Sequence, residues 1–527
     1  MGMILHTLLA GALTLGALTV PARAVPARAA STPAASPPIV PARAASAPGA
    51  PAVTWQECPT YSDDVLRWGG LDEKDLPEFR RLLARTDCGT LKVPRDHADP
   101  GGPQITIALT RLRATDQRRR LGSLAVNPGG PGGSGYLMPL ELVMSGLKVN
   151  ERHDLIGFDP RGVGLSTRAG CRAPMPEPPP PGAVSEEQAR KVYAEVVRGN
   201  RACVAADPGL VGQLTTANVA RDLDRIRAAL GERRLSFLGV SWGTWLGAVY
   251  RSLFPGRVAR MWLDSVALPE PRMDVFTEVR AMAADRDFRR MARWIAGRDA
   301  RYGFGDSTAE VVAALTRLRE RYAADPVTFT DLGVTIDGRM VAEAASQPSP
   351  SWPDVAEVLK ELVDATGPEA PPALRRAFGG GDRPPRPEGV PERQNRVAGL
   401  AMFCNEDLGP RTFEAAWDAY RKRLERYPVT GEASTFFPAC AGWPLAPRAP
   451  RLRQGGGSLV LSGHLHESPS PYEWTIQMRQ AVGGHVVTID DDAHGSALRT
   501  PGCMAGVAGY FATGRVTGAC PGVPIPD

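Results

Sequence analysis

One short stretch of the sequence, GVSWGTWLG at residues 239–247, constrains the fold most strongly. It ends the apolar run RLSFLGV, which is typical of a buried strand, and it begins the helix-like segment WGTWLGAVYRSLF. A serine in a sharp strand-to-helix turn needs small residues two positions before and after it, and Gly239 and Gly243 meet this requirement around Ser241. The stretch therefore predicts a nucleophile elbow with Ser241 exposed at the carboxyl end of a sheet. The alternative is a glycine-rich packing turn.

Strand-like and helix-like segments alternate on both sides of this turn. A helix is predicted over residues 215–231, because Val219, Leu223 and Ile226 recur at helical spacing and Thr215 can cap the first turn. Strands are predicted over residues 105–114, 122–129, 153–159, 234–240, 258–266, 458–463 and 485–490. This alternation predicts an α/β fold with a mostly parallel sheet covered by helices on both faces.

Residues 271–450 follow a different pattern. Amphipathic segments such as MDVFTEVRAMAADRDFRRMARWIAG follow one another without a strand between them, and Pro/Gly-rich breaks separate them. We therefore predict that a mainly helical cap over 271–450 interrupts an α/β core formed by residues 52–270 and 451–527.

The N-terminal residues indicate export. Residues 4–20 form an apolar run that is short for a membrane span, and the small residues before Ala24 and Ala29 suit signal-peptidase cleavage. We predict a signal peptide over 1–29; the alternative is a membrane anchor. A Pro/Ala-rich tether over 30–51 cannot build a core and is expected to be disordered. The expected location is extracellular, with no membrane span after cleavage.

Eight cysteines fit the same compartment. An even number of cysteines in an exported chain favours disulfides, and no C-x-x-C motif supports a zinc ribbon or a thioredoxin-like site. We expect nearest neighbours to pair because each pair closes a local loop; the alternative is that one or two are buried thiols. The cysteines are Cys58, Cys88, Cys171, Cys203, Cys404, Cys440, Cys503 and Cys520.

The loop NPGGPGGSG, residues 127–135, follows a predicted strand. Acyl transfer needs hydrogen-bond donors for the developing oxyanion, and one donor is expected to be the backbone N–H of Trp242. Glycines let this loop approach a substrate carbonyl, so Gly129 or Gly130 is expected to supply the second donor. The loop lacks the GK[ST] ending of a phosphate-binding loop.

The general base should be a histidine that follows Ser241 in the chain. His494 lies just after the last predicted strand, in DDDAHGSA, where this arrangement places its base. The alternative is a surface histidine in an acidic turn. The histidines that follow Ser241 are His464, His466, His485 and His494.

A set of motifs resembles the secreted actinobacterial tripeptidyl aminopeptidases, which belong to the α/β-hydrolase superfamily and are related to prolyl aminopeptidases. The motifs occur in the family's order: NPGGPGGSG, DLIGFDPRGVGLST, TTANVARDLDRIRAALG, GVSWGTWLG, PYEW and AHGS. The resemblance spans about residues 55–525 and is loose over 270–400. It implies release of short peptides, often tripeptides, from free N-termini. It also supports the pairs Cys58–Cys88, Cys171–Cys203, Cys404–Cys440 and Cys503–Cys520.

The acid of the triad departs from the family pattern. The family has an Asp followed by Pro-x-Thr-Pro, whereas this chain has HESPSP, and Trp242 replaces the family's usual Tyr. Counting back from PYEW places the family's Asp at Glu467, but counting forward from Gly463 places it at His466. A histidine brings no negative charge to offset imidazolium, so Glu467 is the predicted acid, with a one-residue insertion in the loop. The alternatives are Asp490, Asp491 and Asp492, which lie close to His494 in sequence.

An aminopeptidase also needs a carboxylate near the substrate's ammonium group, because burying that charge unpaired is costly. Glu406 and Asp407, beside Cys404 in AMFCNEDLG, are the candidates; the alternative is a solvated acidic turn. His464 and His466 with Glu467 suggest a metal site only weakly, since no third ligand cluster follows. No metal or cofactor is predicted.

These residues predict a secreted serine exopeptidase in which Ser241 attacks, His494 transfers the proton and Glu467 orients His494. Peptides are the expected partners, and a monomer is expected. Nucleic acid is not expected, because the net charge of +5 is modest and spread along the chain. The alternatives are a prolyl-type aminopeptidase or esterase, and a catalytically silent peptide-binding homologue, which the altered acid loop would favour.

Overall fold

A nine-stranded sheet runs through the centre of the molecule. The structure is a computed structural model that describes residues 52–174, 176, 180–378 and 385–527. The predicted signal peptide (1–29) and tether (30–51) lie outside the described residues. The strands are β1 (Thr54–Gln56), β2 (Thr86–Pro94), β3 (Gln104–Leu112), β4 (Ser123–Asn127), β5 (Asp154–Phe158), β6 (Leu235–Val240), β7 (Val258–Asp264), β8 (Val327–Phe329), β9 (Val334–Ile336), β10 (Ser458–His464) and β11 (His485–Ile489).

Helices surround the sheet and fill the long segment between β7 and β10. None of the helices in the described ranges has the length and apolar character that a membrane crossing requires. The helices are α1 (Asp63–Trp68), α2 (Leu76–Leu83), α3 (Met138–Met144), α4 (Glu186–Ala206), α5 (Pro208–Val211), α6 (Thr216–Ala229), α7 (Trp242–Leu253), α8 (Met273–Ala296), α9 (Asp299–Tyr302), α10 (Thr308–Ala324), α11 (Gly338–Ala344), α12 (Trp352–Asp364), α13 (Pro372–Phe378), α14 (Arg396–Cys404), α15 (Phe413–Arg426), α16 (Tyr472–Val482) and α17 (Pro501–Thr513).

The sheet is parallel except at one edge. Its strand order is β1-β2-β3-β5-β4-β6-β7-β10-β11. Neighbouring strands are parallel from β5 to β11, whereas β1, β2 and β3 extend the other edge through antiparallel pairs. Strands β4, β5 and β6 are buried along their whole length, as expected for parallel strands covered on both faces. This is the mostly parallel α/β architecture that the sequence predicted.

Each face of the sheet packs against its own helical layer. Phe237 of β6 packs in one layer with Leu223 of α6 and Leu246 of α7, and all three are fully buried. The next residue, Leu238, packs in the opposite layer with Phe511 of α17. This separation follows from the alternation of side chains along a strand. Burying each such side chain contributes roughly 1.5–3 kcal/mol, so both layers hold β6 firmly beneath the Ser241 turn.

A mainly helical cap is inserted between β7 and β10. Helices α8 to α15 lie in this segment, and part of it has an apolar cluster of its own that includes Met291, Trp352 and Leu359. The cap also contains two strands that were not predicted from the sequence. Strands β8 and β9 form a short antiparallel hairpin, and strands of three residues are too short to produce a readable alternation.

Four disulfides join the cysteines in the pairing that the resemblance implied. Among the described residues there is no free cysteine. Cys404–Cys440 links the end of α14 to the segment that returns towards β10. The bonds are Cys58–Cys88, Cys171–Cys203, Cys404–Cys440 and Cys503–Cys520.

Candidate active site

Ser241 occupies a tight turn between β6 and α7. Its backbone has φ 58° and ψ −128°, a conformation that L residues adopt only when the surrounding structure enforces it. A Cβ on Gly239 would lie 2.5 Å from the carbonyl oxygen of Gly243, and a Cβ on Gly243 would lie 2.7 Å from that of Asn127. Both positions therefore require glycine. The Ser241 N–H donates to the Asp264 carbonyl at 3.0 Å, which ties the turn to the end of β7.

The glycine-rich loop after β4 lies directly against this turn. A Cβ on Gly129 would lie 2.9 Å from Ser241 Cβ and 3.0 Å from the backbone nitrogen of Trp242. However, the Gly129 N–H already donates to Asn127 Oδ1 at 3.0 Å. Of the two glycines predicted as the second oxyanion donor, Gly129 is therefore engaged elsewhere. We propose Gly130 as the partner of the Trp242 N–H.

Glu467 and His494 form a hydrogen bond between two loops. His494 lies after β11 and donates from Nδ1 to Oε1 of Glu467, which lies after β10. The Glu467 side chain is fully buried, whereas that of His494 is 36% exposed. The ring can therefore reach substrate while water is kept from the carboxylate. Among the described residues, no hydrogen bond joins the side chains of Ser241 and His494. Hydrogen bonds between catalytic residues often tighten only when substrate binds.

His466, which the forward count placed at the acid position, is engaged elsewhere. Its Nε2 lies 3.0 Å from Oδ1 of Asp490, whose side chain is 76% exposed. This pair lies at the surface, and neither member contacts His494. The contact between Glu467 and His494 is the one expected from the backward count and a one-residue insertion.

Asp491 belongs to a buried cluster beneath the site. Its Oδ1 lies 2.6 Å from His464 Nδ1, and Asp264 Oδ1 lies 3.0 Å from His464 Nε2. The Ser496 hydroxyl donates to Asp491 Oδ2 at 2.6 Å. Burial opposes a charge on the ring, but the two carboxylates outweigh it and raise the pKa of His464 well above 6.5. His464 is thus an imidazolium held between two carboxylates, which leaves neither nitrogen available to a metal.

Asp492, two residues before His494, is bound to the cap. The N–H and hydroxyl of Ser349 donate to its carboxylate at 2.9 and 2.8 Å. Arg290 Nη1 of α8 lies 3.4 Å from Asp492 Oδ2, and the Asp492 side chain is 1% exposed. The last alternative acid is therefore occupied by cap residues, and the cap contacts the loop that positions His494.

A cavity of ≈ 440 Å³ lies between the core and the cap. Ser241, Trp242, Gly130 and His494 line it from the core. This volume falls within the range of small-ligand sites. Most of the remaining wall is apolar and is formed by Leu268, Met273, Phe276, Leu400, Phe403 and Trp474.

Glu406 is the buried carboxylate of the cavity wall. It accepts hydrogen bonds from the Thr216 N–H at 2.6 Å, the Thr216 hydroxyl at 3.0 Å and Trp245 Nε1 at 3.0 Å. Burial raises the pKa of Glu406 to about 7, against these bonds, which lower it. The charge of Arg448 also lowers this pKa, but Arg448 forms no ion pair with Glu406 among the described residues. The three hydrogen-bond donors are neutral, so Glu406 retains the capacity to pair with a cation that enters the cavity.

Asp407, the other predicted amine binder, has a different role. It does not line the cavity, and its Oδ1 accepts from the N–H groups of Met273 and Gly409 at 2.9 Å each. Asp407 therefore fixes the start of α8. Of the two predicted amine binders, Glu406 is therefore the one that lines the cavity.

The sequence did not predict Trp245, Thr216 or Arg280 as site residues. A signal existed for Trp245, because it lies four residues after Ser241 on the same helix and such residues share a face. Asp264 and His464 each end an apolar strand, which also marks the edge of the sheet where the site lies. Arg280 had no such signal, since its position depends on how the cap docks on the core.

Comparison with known proteins agrees with this fold. Residues 123–497 match the family model described as the alpha/beta hydrolase fold. The chain is 32% identical over 478 residues to a tripeptidyl aminopeptidase of Streptomyces lividans, covering 85% of each chain. It is 28% identical over 443 residues to the serine protease Hip1 of Mycobacterium tuberculosis, covering 79% of this chain and 83% of that one. It is 27% identical over 501 residues to carboxylesterase B of Mycobacterium tuberculosis, covering 89% and 90%.

The fold and these relatives define the protein as a serine hydrolase of the α/β-hydrolase superfamily. The relatives also support a serine peptidase rather than a catalytically inactive homologue. Within the superfamily, the chain belongs to the tripeptidyl aminopeptidase family.

Proposed function

We propose that this serine peptidase is secreted and releases short peptides, chiefly tripeptides, from the free N-termini of peptide substrates. The names of its relatives support the tripeptide product. The four disulfides and the N-terminal sequence support export. The observation that bears most of the proposal is a single cavity in which Ser241, His494 and the buried carboxylate Glu406 meet.

In the proposed mechanism, Ser241 attacks the scissile carbonyl and His494 accepts its proton. Glu467 holds the His494 ring through Nδ1, so Nε2 is the nitrogen left to face Ser241. The buried carboxylate also stabilises the imidazolium that forms. The N–H groups of Gly130 and Trp242 are proposed to bind the oxyanion. His494 then protonates the leaving amine, and water hydrolyses the acyl-enzyme.

Glu406 is proposed to bind the substrate's N-terminal ammonium. An ammonium that enters a mostly apolar cavity needs an anionic partner, because an unpaired buried charge is costly. The carboxylate of Glu406 lines the cavity and is 2% exposed. Its hydrogen-bond donors, Thr216 and Trp245, are neutral. A blocked N-terminus would leave this carboxylate without its cation.

The proposal predicts how the enzyme selects among chromogenic substrates. Tripeptidyl p-nitroanilides with a free N-terminus should have a kcat/KM at least about tenfold above that of aminoacyl, dipeptidyl or N-acetylated tripeptidyl analogues, since only they place the ammonium at Glu406. Simple p-nitrophenyl esters and prolyl p-nitroanilides test the esterase and prolyl-type alternatives. Equal rates with free and blocked N-termini would contradict the exopeptidase proposal.

Fluorophosphonate labelling tests the catalytic serine independently of substrate choice. Mass spectrometry should find one adduct on the folded protein, on Ser241, and the Ser241→Ala variant is the matched control. A folded wild-type protein that gains no adduct at Ser241 would show that the proposed nucleophile is unreactive.

A further inference from the structure

Arg280 brings a positive charge into the cavity wall. It lies on α8 of the cap and lines the same cavity as Ser241 and His494. Its guanidinium carbon lies 5.0 Å from the ring centroid of Phe276. The Phe276 ring in turn stacks on Trp474 at 5.2 Å, so two aromatic side chains support the guanidinium.

The charge of Arg280 is not neutralised by a bound carboxylate. Among the described residues it has no hydrogen bond or ion pair, whereas other arginines of α8 do. Arg286 pairs with Glu473 at 2.6 Å, and Arg289 pairs with Asp285 at 2.9 Å. Exposed Arg293 is likewise unpaired among the described residues, so what distinguishes Arg280 is that its unpaired charge lines the cavity.

Arg280 also lies close to the proposed catalytic groups. Its charge interacts with that of Glu467, which accepts the hydrogen bond from His494. Burial lowers the pKa of Arg280, but an arginine stays protonated at neutral pH. Glu467 uses Oε1 for His494 and its Oε2 has no hydrogen-bond partner among the described residues, but Glu467 forms no ion pair with Arg280. The fork of the guanidinium is therefore free to bind another anion.

An unpaired guanidinium in a mostly apolar cavity favours an anionic ligand. Arg280 is half-buried, so its charge is partly withdrawn from water, and a bidentate carboxylate offsets that cost with two charge-assisted hydrogen bonds. The other carboxylates of the wall lie elsewhere: Glu406 is held by Thr216 and Trp245, and Glu270 is exposed. A carboxylate that pairs with Arg280 would therefore come from a molecule that enters the cavity.

We propose that Arg280 binds a carboxylate carried by a substrate residue that flanks the scissile bond. This inference rests on the proposed peptidase function and adds a substrate class to it, namely peptides with Asp or Glu at the cleavage point. The acidic side chain can belong to the residue whose carbonyl Ser241 attacks or to the first residue of the leaving peptide. The chemistry at Arg280 is the same in both cases.

Two substrate pairs separate these sources. Ala-Ala-Glu-p-nitroanilide and Ala-Ala-Gln-p-nitroanilide place the charge on the acyl side. Ala-Ala-Ala-Glu-Phe and Ala-Ala-Ala-Gln-Phe place it on the leaving side. In one pair, the wild-type kcat/KM should be about 10- to 100-fold higher for the Glu member, the effect expected of a charge-assisted hydrogen bond.

Variants assign the preference to Arg280. Arg280→Gln should abolish the preference for Glu, Arg280→Lys should retain part of it, and Arg280→Glu should favour an Ala-Ala-Lys substrate instead. The matched control is Arg293→Gln, because Arg293 lies on the same helix, is exposed and does not line the cavity. It should keep the wild-type preference. Equal wild-type rates for Glu and Gln in both pairs would overturn the inference, as would a preference that survives Arg280→Gln.

A binding measurement separates this inference from the proposed function. Calorimetry on Ser241→Ala should show that Ala-Ala-Glu-amide binds about 10- to 100-fold more tightly than Ala-Ala-Gln-amide, and that Arg280→Gln removes the difference. A result of this kind together with no fluorophosphonate adduct on wild-type protein would retain the carboxylate site and reject the peptidase. An adduct on Ser241 with no such difference in binding or rate would retain the peptidase and reject the carboxylate site.

Discussion

At the level of single residues, Glu467 fits the departure of the loop after β10 from the family pattern. Counting back from PYEW predicts one more residue in this loop than the family has, and the acid has one more methylene than aspartate. His466, the preceding residue, donates its backbone N–H to the Asp491 carbonyl at 3.0 Å, which anchors the loop. The longer side chain of Glu467 then spans the distance to His494. The altered motif therefore retains a buried carboxylate bonded to the proposed base.

Glu467→Gln should lower kcat by about 10³- to 10⁴-fold, because an amide does not hold the imidazole in the correct tautomer or stabilise imidazolium. His466→Ala is the control, and its kcat should remain within about threefold of wild type, since His466 pairs only with an exposed aspartate. Steady-state kinetics on one tripeptidyl substrate measure both variants. A severe loss in His466→Ala together with a mild one in Glu467→Gln would mean that the register of the loop is wrong.

Glu406 predicts a pH dependence specific to free N-termini. Its pKa is raised from 4.5 to about 7, so the group is neutral below that pH and anionic above it. A peptide ammonium loses its own proton above about pH 8. The ratio of kcat/KM for free over N-acetylated substrate should therefore rise through pH 7 and fall above pH 8. Glu406→Gln should flatten this profile and lower the ratio by about 10- to 100-fold.

The comparison variant for this profile is Glu270→Gln. Glu270 also lines the cavity but is exposed, so its loss should leave the profile in place. A flat profile in Glu270→Gln and a normal one in Glu406→Gln would assign the ammonium to Glu270.

At the level of elements, the site depends on the ends of three neighbouring strands, which a buried cluster of charged side chains holds together. His464 ends β10, Asp264 ends β7, and Asp491 follows β11, so their contacts tie neighbouring strands at the edge that supports both catalytic loops. Asp491 also accepts from the backbone N–H of Val523 at 2.8 Å, which adds the C-terminal segment to the same cluster. The loops of Glu467 and His494 thus share one buried ionic support.

This cluster predicts that stability falls at alkaline pH. The folded state raises the pKa of His464 well above the ordinary 6.5, so its contribution is fully present below pH 6.5 and is lost as pH rises through the folded-state pKa. The free energy of unfolding should fall by up to about 1.4 kcal/mol per pH unit over that range. His464→Gln should lack this slope. Denaturant unfolding between pH 6 and pH 9.5 measures it.

The matched variant for this experiment is His466→Gln. His466 is two residues away and pairs with exposed Asp490 rather than with buried carboxylates. It should keep the wild-type slope. If His464→Gln and wild type lose stability in parallel above pH 6.5, His464 is not the charged group that the cluster implies.

At the level of the whole molecule, the core was predictable and the cap contacts were not. The G-x-S-x-G turn, the alternation of strands and helices, and chain order pointed to Ser241 and His494 because each depends on local pattern or on topology. Glu467 was predicted only by comparing its loop with the motif of the family that the sequence resembles. Short strands such as β8 and β9 gave no readable period, and no element was predicted for the antiparallel edge before residue 105. Arg280 escaped prediction because its place in the cavity arises from packing between segments distant in sequence.

The contact between Ser349 and Asp492 has a consequence for how this family can diversify. A cap that only selected substrates could be exchanged between related enzymes while the core retained its chemistry. Here the cap supplies two hydrogen bonds to a carboxylate two residues from the proposed base. A cap transplanted without a serine at this place would leave a buried aspartate short of donors beside His494. Recombination at the ends of the cap would therefore have to preserve this contact, so selectivity and turnover are expected to be inherited together.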